Sequence, residues 1–136
     1  INRAQIYGFE AENYFNTWNS SSIIIGQIEN VKGIENLEKM LKTKILDGIM
    51  IGPYDLAGSM GYPGQVNNSK VKKECEKVIK ICEKYNISVG TQVSDVSINK
   101  VKDLYKMNYT YTILGSDLFL FWKSAAFLKD IINNFK

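Results

Sequence analysis

The chain has 136 residues, 45% of them hydrophobic and 23% charged, with 17 basic and 14 acidic side chains and a net charge of +3. That length holds one domain with a real core, or part of a larger one. The mild charge gives no ground for a nucleic-acid binder built on a basic stripe, no apolar run approaches the roughly 20 residues of a membrane helix, and the lack of histidine rules out Ser-His-Asp or Cys-His catalysis by these residues alone.

The chain opens on Ile1 and its pattern starts abruptly, as expected of part of a longer domain; no signal peptide is visible. Residues 3–19 are polar and rich in aromatics, and read as a loop and helix finishing an earlier βα unit. Ser22–Gln27 is a β-branched run of the kind that forms a strand buried on both faces of a parallel sheet. Val31, Ile34, Leu37 and Leu41 recur at helical offsets, so a helix is predicted over Val31–Leu41. Gly48–Ile51 is the next strand. A long loop rich in Gly, Pro and Asn is expected from Gly52 to Asn68.

Ser69 is expected to cap a helix reaching Tyr85, with Val71, Cys75, Val78 and Cys82 on its inner face. Its lysines alternate with glutamates along a solvated face. Cys75 and Cys82 share one helix face but lie too far apart along the axis for a disulfide. They read as small core hydrophobes in a reducing cytoplasm; the lack of a CxxC pair and of histidine argues against a zinc site. Ile87–Val93 is the third predicted strand. Asp95 or Ser97 caps a helix through Met107, Tyr109–Leu114 is the fourth strand, and Asp117–Phe135 the last helix. Strands alternating with helices predict a parallel sheet with right-handed crossovers. Four such units make half of a (β/α)8 barrel, whose usual length is about 250 residues; on pattern alone, a four-stranded open sheet is the alternative.

Glu29 directly follows the first strand and Asp55 the second. In a parallel barrel both fall at the C-terminal rim, side by side, where active sites of this architecture lie. Two carboxylates held close repel unless one is protonated or a cation sits between them. Hard oxygen ligands with open positions suit Mg²⁺ or Mn²⁺. Taken singly, Glu29 reads as a charge complementing a helix N-terminus and Asp55 as a turn or cap residue. The loop Gly52–Gly64 permits close backbone approach to a ligand but lacks the ending of a P-loop. A Schiff-base lysine is conceivable, but no lysine lies inside a predicted strand, and Lys44 and Lys123, which flank strand or helix ends, read as solvated.

Several motifs in order resemble the HpcH/HpaI aldolase family, which includes 4-hydroxy-2-oxo acid aldolases and 2-dehydro-3-deoxy-sugar-acid aldolases. They are Asn2-Arg3-Ala4-Gln5 with Tyr7-Gly8, Gln27-Ile28-Glu29, Glu35-Asn36-Leu37, Leu46-Asp47-Gly48, the loop Ile51-Gly52-Pro53-Tyr54-Asp55-Leu56-Ala57-Gly58-Ser59-Met60-Gly61, and Gly115-Ser116-Asp117. The resemblance implies a (β/α)8 barrel of which this chain is the C-terminal half. It implies a class II reaction, the reversible cleavage of a 4-hydroxy-2-oxo acid to pyruvate and an aldehyde. Glu29 and Asp55 would be the ligands of a divalent metal, Mg or Mn. Gln27 would hydrogen-bond near the substrate oxo group, and the backbone N–H groups of Tyr54 and Asp55 would hold the pyruvate carboxylate. The family's catalytic arginine and general-base histidine belong to the first half of the barrel, so no catalytic residue is expected in this segment, which should be inactive and prone to association by itself. A cytoplasmic homo-oligomer, a hexamer with the last helix against a neighbouring subunit, is also implied. Two alternatives stand beside this reading: a lyase of malyl-CoA or citryl-CoA esters on the same barrel, and a non-catalytic barrel remnant. A nucleotide-binding domain is disfavoured by the missing phosphate motif.

Overall fold

The computed structural model describes residues 3–94 and 96–135. Four parallel strands, β1 (Ile25–Ile28), β2 (Gly48–Ile51), β3 (Ser88–Val93) and β4 (Tyr111–Leu114), form one sheet in the order β1-β2-β3-β4. A 3-10 segment (Arg3–Gly8) and α1 (Ala11–Ser21) precede the sheet. The crossovers carry α2 (Val31–Lys42), then α3 (Pro53–Ser59) with α4 (Ser69–Lys84), then α5 (Ile98–Lys106), and α6 (Asp117–Asn133) follows β4. No helix among the described residues is long and apolar enough to cross a membrane.

The register sets the two faces. Ile28, Ile51 and Thr91 lie in one row, and Ile49 pairs with Val89. These side chains, with Val93, point at the helices and pack against Ile34, Leu37 and Leu41 of α2 and Val78, Ile79 and Cys82 of α4. Thr91 is buried among them, its hydroxyl donating to the Ile51 carbonyl at 3.0 Å. Side chains alternate along a strand, so Gln27, Met50, Gly90 and Tyr111 form the neighbouring row on the other face. There the Tyr111 ring lies flat over Gly90. A Cβ on Gly90 would stand 2.5 Å from ring carbons Cδ2 and Cζ, and beyond it the phenol donates to the Ile49 carbonyl at 3.0 Å. One side chain of β4 thus crosses β3 and fastens to β2.

Several boundaries differ from expectation. The first strand begins at Ile25, because Asp47 takes over pairing at Ile24: its carboxylate accepts from the Ile24 N–H at 2.7 Å and its own N–H donates to the Ile24 carbonyl at 2.8 Å. Nor is this strand buried on both faces; Ile25 is 49% exposed, since helices cover one face only. The fourth strand starts at Tyr111, after Thr110 has hydrogen-bonded to Val89. Part of the expected Gly52–Asn68 loop is the short helix α3, for which Pro53 at the first helical position is preorganised. Asn68, not Ser69, caps α4, its side chain accepting from the Lys70 N–H at 3.0 Å. Ser97 caps α5 as expected; the other expected cap, Asp95, lies outside the described residues.

Cys75 and Cys82 are free thiols on the inner face of α4. Burial pushes each up to about 11 from an ordinary 9.0. The fold therefore holds these protons more tightly than the unfolded chain does. That contribution is intact below about pH 9 and is lost as pH climbs towards 11. The urea midpoint is expected to fall across this window, and less steeply in a Cys75→Ala/Cys82→Ala variant; a residual slope will remain, because burial raises Tyr109 in the same direction.

Candidate functional site

The C-terminal ends of β1 and β2 build the site. Gln27 and Glu29 are two apart on extended backbone and share the helix-free face. Gln27 Nε2 donates to Glu29 Oε2 at 2.9 Å, which orients the carboxylate from below. Immediately after Glu29, Asn30 caps α2 by accepting from the Gly33 N–H at 2.8 Å, so the chain turns away from the rim and leaves Glu29 at the turning point. Across from Glu29 lies Gly52, whose N–H continues the ladder to the Ile28 carbonyl at 3.0 Å. A Cβ there would stand 3.2 Å from both Gln27 Nε2 and Glu29 Cβ. The absence of a side chain keeps open the space in front of the carboxylate.

Gly52 is also the N-cap of α3. Pro53 then directs the backbone into the helix, and the third helical residue is Asp55, exposed in the first turn. Its charge is favoured there by the helix dipole. The N–H groups of Tyr54 and Asp55 point out of the same turn without intrahelical acceptors. Leu56 and Ala57, fully buried, anchor α3 to the core and so hold this turn in place.

These parts surround an open cleft of about 400 Å³ lined by Gln27, Met50, Gly52, Tyr54, Asp55, Gln92, Ser94 and Phe119, among others. Of the residues expected from sequence, Gln27, Tyr54 and Asp55 line the cleft directly. Glu29 stands beside it, joined through its hydrogen bond to Gln27 and its contact with Gly52. Gln92, Ser94 and Phe119 were not anticipated. For the first two a signal existed: polar residues alternate with Val93 at the end of β3, which puts them on the face of Gln27. Phe119 arrives from α6, and nothing local in the sequence marks it.

Among the described residues, no group of three or more Asp, Glu, Cys or His side chains gathers as a metal cage. A divalent ion would have two protein carboxylates, Glu29 and Asp55, with water and ligand oxygens completing its shell. The donor chemistry fits: both are hard oxygen ligands, and the space beside Glu29 is kept clear by Gly52. Gly52→Ala is expected to push on Gln27 and Glu29 and lower activity of the full-length protein by about tenfold, since small misplacements at a reacting site are costly. Steady-state kinetics beside a thermal melt will separate this from unfolding.

Residues 3–124 match the HpcH/HpaI aldolase/citrate lyase family. The chain belongs to that family. A 5-keto-4-deoxy-D-glucarate aldolase of Escherichia coli is 29% identical over 128 residues, which are 94% of this chain and 49% of the relative. The solved structure of an HpcH/HpaI aldolase/citrate lyase family protein from Burkholderia cenocepacia superposes with a TM-score of 0.82 at 21% identity, covering 96% of this chain and 50% of that one. For an HpcH/HpaI aldolase from Desulfitobacterium hafniense the TM-score is 0.78 at 21% identity, with 94% and 51% covered. The fold of this HpcH/HpaI chain is accordingly four βα units of the (β/α)8 barrel. The chain spans about half the length of the curated relatives it matches.

Proposed function

We propose that this chain provides the carboxylate-bearing half of a class II aldolase site, which reversibly cleaves a 4-hydroxy-2-oxo acid to pyruvate and an aldehyde. The observation that carries the reading is the meeting of Glu29 and Gln27 with Gly52 beside the cleft that Asp55 lines. Glu29 and Asp55 would hold a divalent cation, Mg²⁺ or Mn²⁺, which when bound supplies Lewis-acid polarisation of the 2-oxo group.

Gln27 sits below Glu29, where its amide fixes the carboxylate and reaches towards the substrate oxo group. The N–H groups of Tyr54 and Asp55 hold the 2-oxo acid's carboxylate, aligned with the dipole of α3. Met50 and Phe119 give one side of the cleft an apolar wall. In the cleavage direction the bond between C3 and C4 breaks and its electron pair passes to C3. The 4-hydroxyl proton leaves to a base as the aldehyde carbonyl forms, and C3 then takes up a proton to give pyruvate. The chain has no histidine; the base and a charge-stabilising arginine come from residues outside this segment, in the complete protein. That protein is cytoplasmic and assembles as a homo-oligomer, a hexamer, with α6 against a neighbour; α6 buries none of its own side chains in this chain.

The test is pyruvate formation from free 4-hydroxy-2-oxo acids by the full-length protein, with and without EDTA. Cleavage that EDTA leaves untouched ends the class II reading. Cleavage of CoA thioesters in preference to free acids would move the protein to the citrate-lyase side of its family.

A further inference from the structure

We propose that Leu118, Phe119 and Trp122 at the start of α6 seat the end of the substrate that leaves as the aldehyde, and that this aldehyde carries an apolar or aromatic tail. The inference rests on the class II reading of the adjoining cleft. A second cavity, of about 580 Å³, is lined by Ser94, Leu118, Phe119, Trp122 and Lys123. It shares Ser94 and Phe119 with the cleft that holds Gln27 and Asp55, so the two adjoin. Each volume falls within the range of small-molecule sites.

Adjacency gives the cavity its role. With pyruvate in the cleft through its carboxylate and oxo groups, the new bond forms at the methyl carbon, and the cavity beside Ser94 and Phe119 is the adjoining space for the aldehyde's chain. Leu118 and Trp122 are one helical turn apart, and Phe119 and Trp122 three residues apart, so all three lie on one side of α6. Trp122 is 68% exposed and Phe119 40%, an apolar surface of the kind that marks a binding site. Against the carbon of Leu118, Phe119 and Trp122 a polyhydroxylated chain would exchange hydration for few hydrogen bonds, since only Ser94 and Lys123 in the lining offer any. An alkyl or aryl tail would gain burial instead. Phe121 and Leu128 are turned by about 100° or more around α6 from Trp122, a separate stripe left for a neighbouring subunit.

The test uses the full-length protein with pyruvate and four aldehydes: hexanal, benzaldehyde, glyceraldehyde and succinic semialdehyde. The expected result is a kcat/KM for hexanal or benzaldehyde at least about tenfold above the polar pair, a preference that Trp122→Ala cuts by about tenfold or more. Phe121→Ala, on the other stripe, should leave it unchanged. Preference for the polar aldehydes overturns the proposal. So does a Trp122→Ala variant that breaks up the oligomer, read by light scattering, with the preference intact. Deuterium exchange into the pyruvate methyl group, followed by NMR without any aldehyde, separates the two levels. Wild-type protein that exchanges but favours polar aldehydes sinks the acceptor assignment alone, whereas protein that does not exchange sinks the class II reading and this inference with it.

Discussion

Glu29→Gln is expected to lower turnover of the full-length protein by about 10²- to 10⁴-fold while barely changing its melting temperature. The size follows from the several kcal/mol that Lewis-acid stabilisation contributes to such reactions, at about 1.4 kcal/mol per tenfold in rate. The fold should survive, because the new amide has the shape of the carboxylate and its oxygen can still accept from Gln27 Nε2, which lies 2.9 Å away in the native chain. Asp55→Asn should lose activity to a similar extent. It should also cost a few tenths of a kcal/mol in stability, for it removes a negative charge from the first turn of α3. If the two carboxylates act as one unit, the double variant will be little worse than either single one. Calorimetric titration with Mn²⁺ provides a readout free of catalysis: wild type binds and each variant binds far more weakly. Variants with full activity, or with unchanged Mn²⁺ affinity, would falsify the assignment of these two residues.

Gly90→Ala should be the most damaging single-methyl change in the sheet. Its Cβ would stand 2.5 Å from Cδ2 and Cζ of Tyr111, and a ring lying over the sheet and held at its hydroxyl by Ile49 cannot swing aside as a flexible chain end would. Overpacking of this kind costs about 1–3 kcal/mol. Displacing the phenol also forfeits its hydrogen bond to the Ile49 carbonyl, worth about 1 kcal/mol more. The expected loss of about 2–4 kcal/mol lowers the melting temperature by on the order of 10 °C. A double-mutant cycle with Tyr111→Ala identifies the cause. With the ring gone, the three atoms nearest the added methyl are gone too, so Gly90→Ala should then cost far less than it does in wild type. Equal costs in the two backgrounds would locate the damage elsewhere.

The sequence conveys this architecture unevenly, for reasons that lie in particular residues. β2 runs over Gly48–Ile51 as predicted, because a short apolar run with a glycine start has partners on both sides to hold it. β1 does not begin where its β-branched run begins, since the Asp47 carboxylate replaces a backbone partner at Ile24, a contact 23 residues distant that no local pattern announces. Pro53 was read as a loop residue when it opens α3; proline serves both roles, and only the packing of Leu56 and Ala57 decides. At the candidate site, the placement of Gln27 at the end of β1 and of Glu29 and Asp55 just beyond β1 and β2 was legible from the apolar runs that precede them. The role of Gly52 was not, because it is defined by what a side chain there would strike. Phe119 was equally hidden, as it comes to the cleft on a helix 64 positions after Asp55 in a chain of 136.

The order of strands has a practical corollary. β1 and β4 are the outermost, each paired on one side only. Every such margin is a row of amide and carbonyl groups able to template another strand. The sheet thus has two adhesive ends, and a preparation of this segment by itself will clump increasingly as its concentration rises.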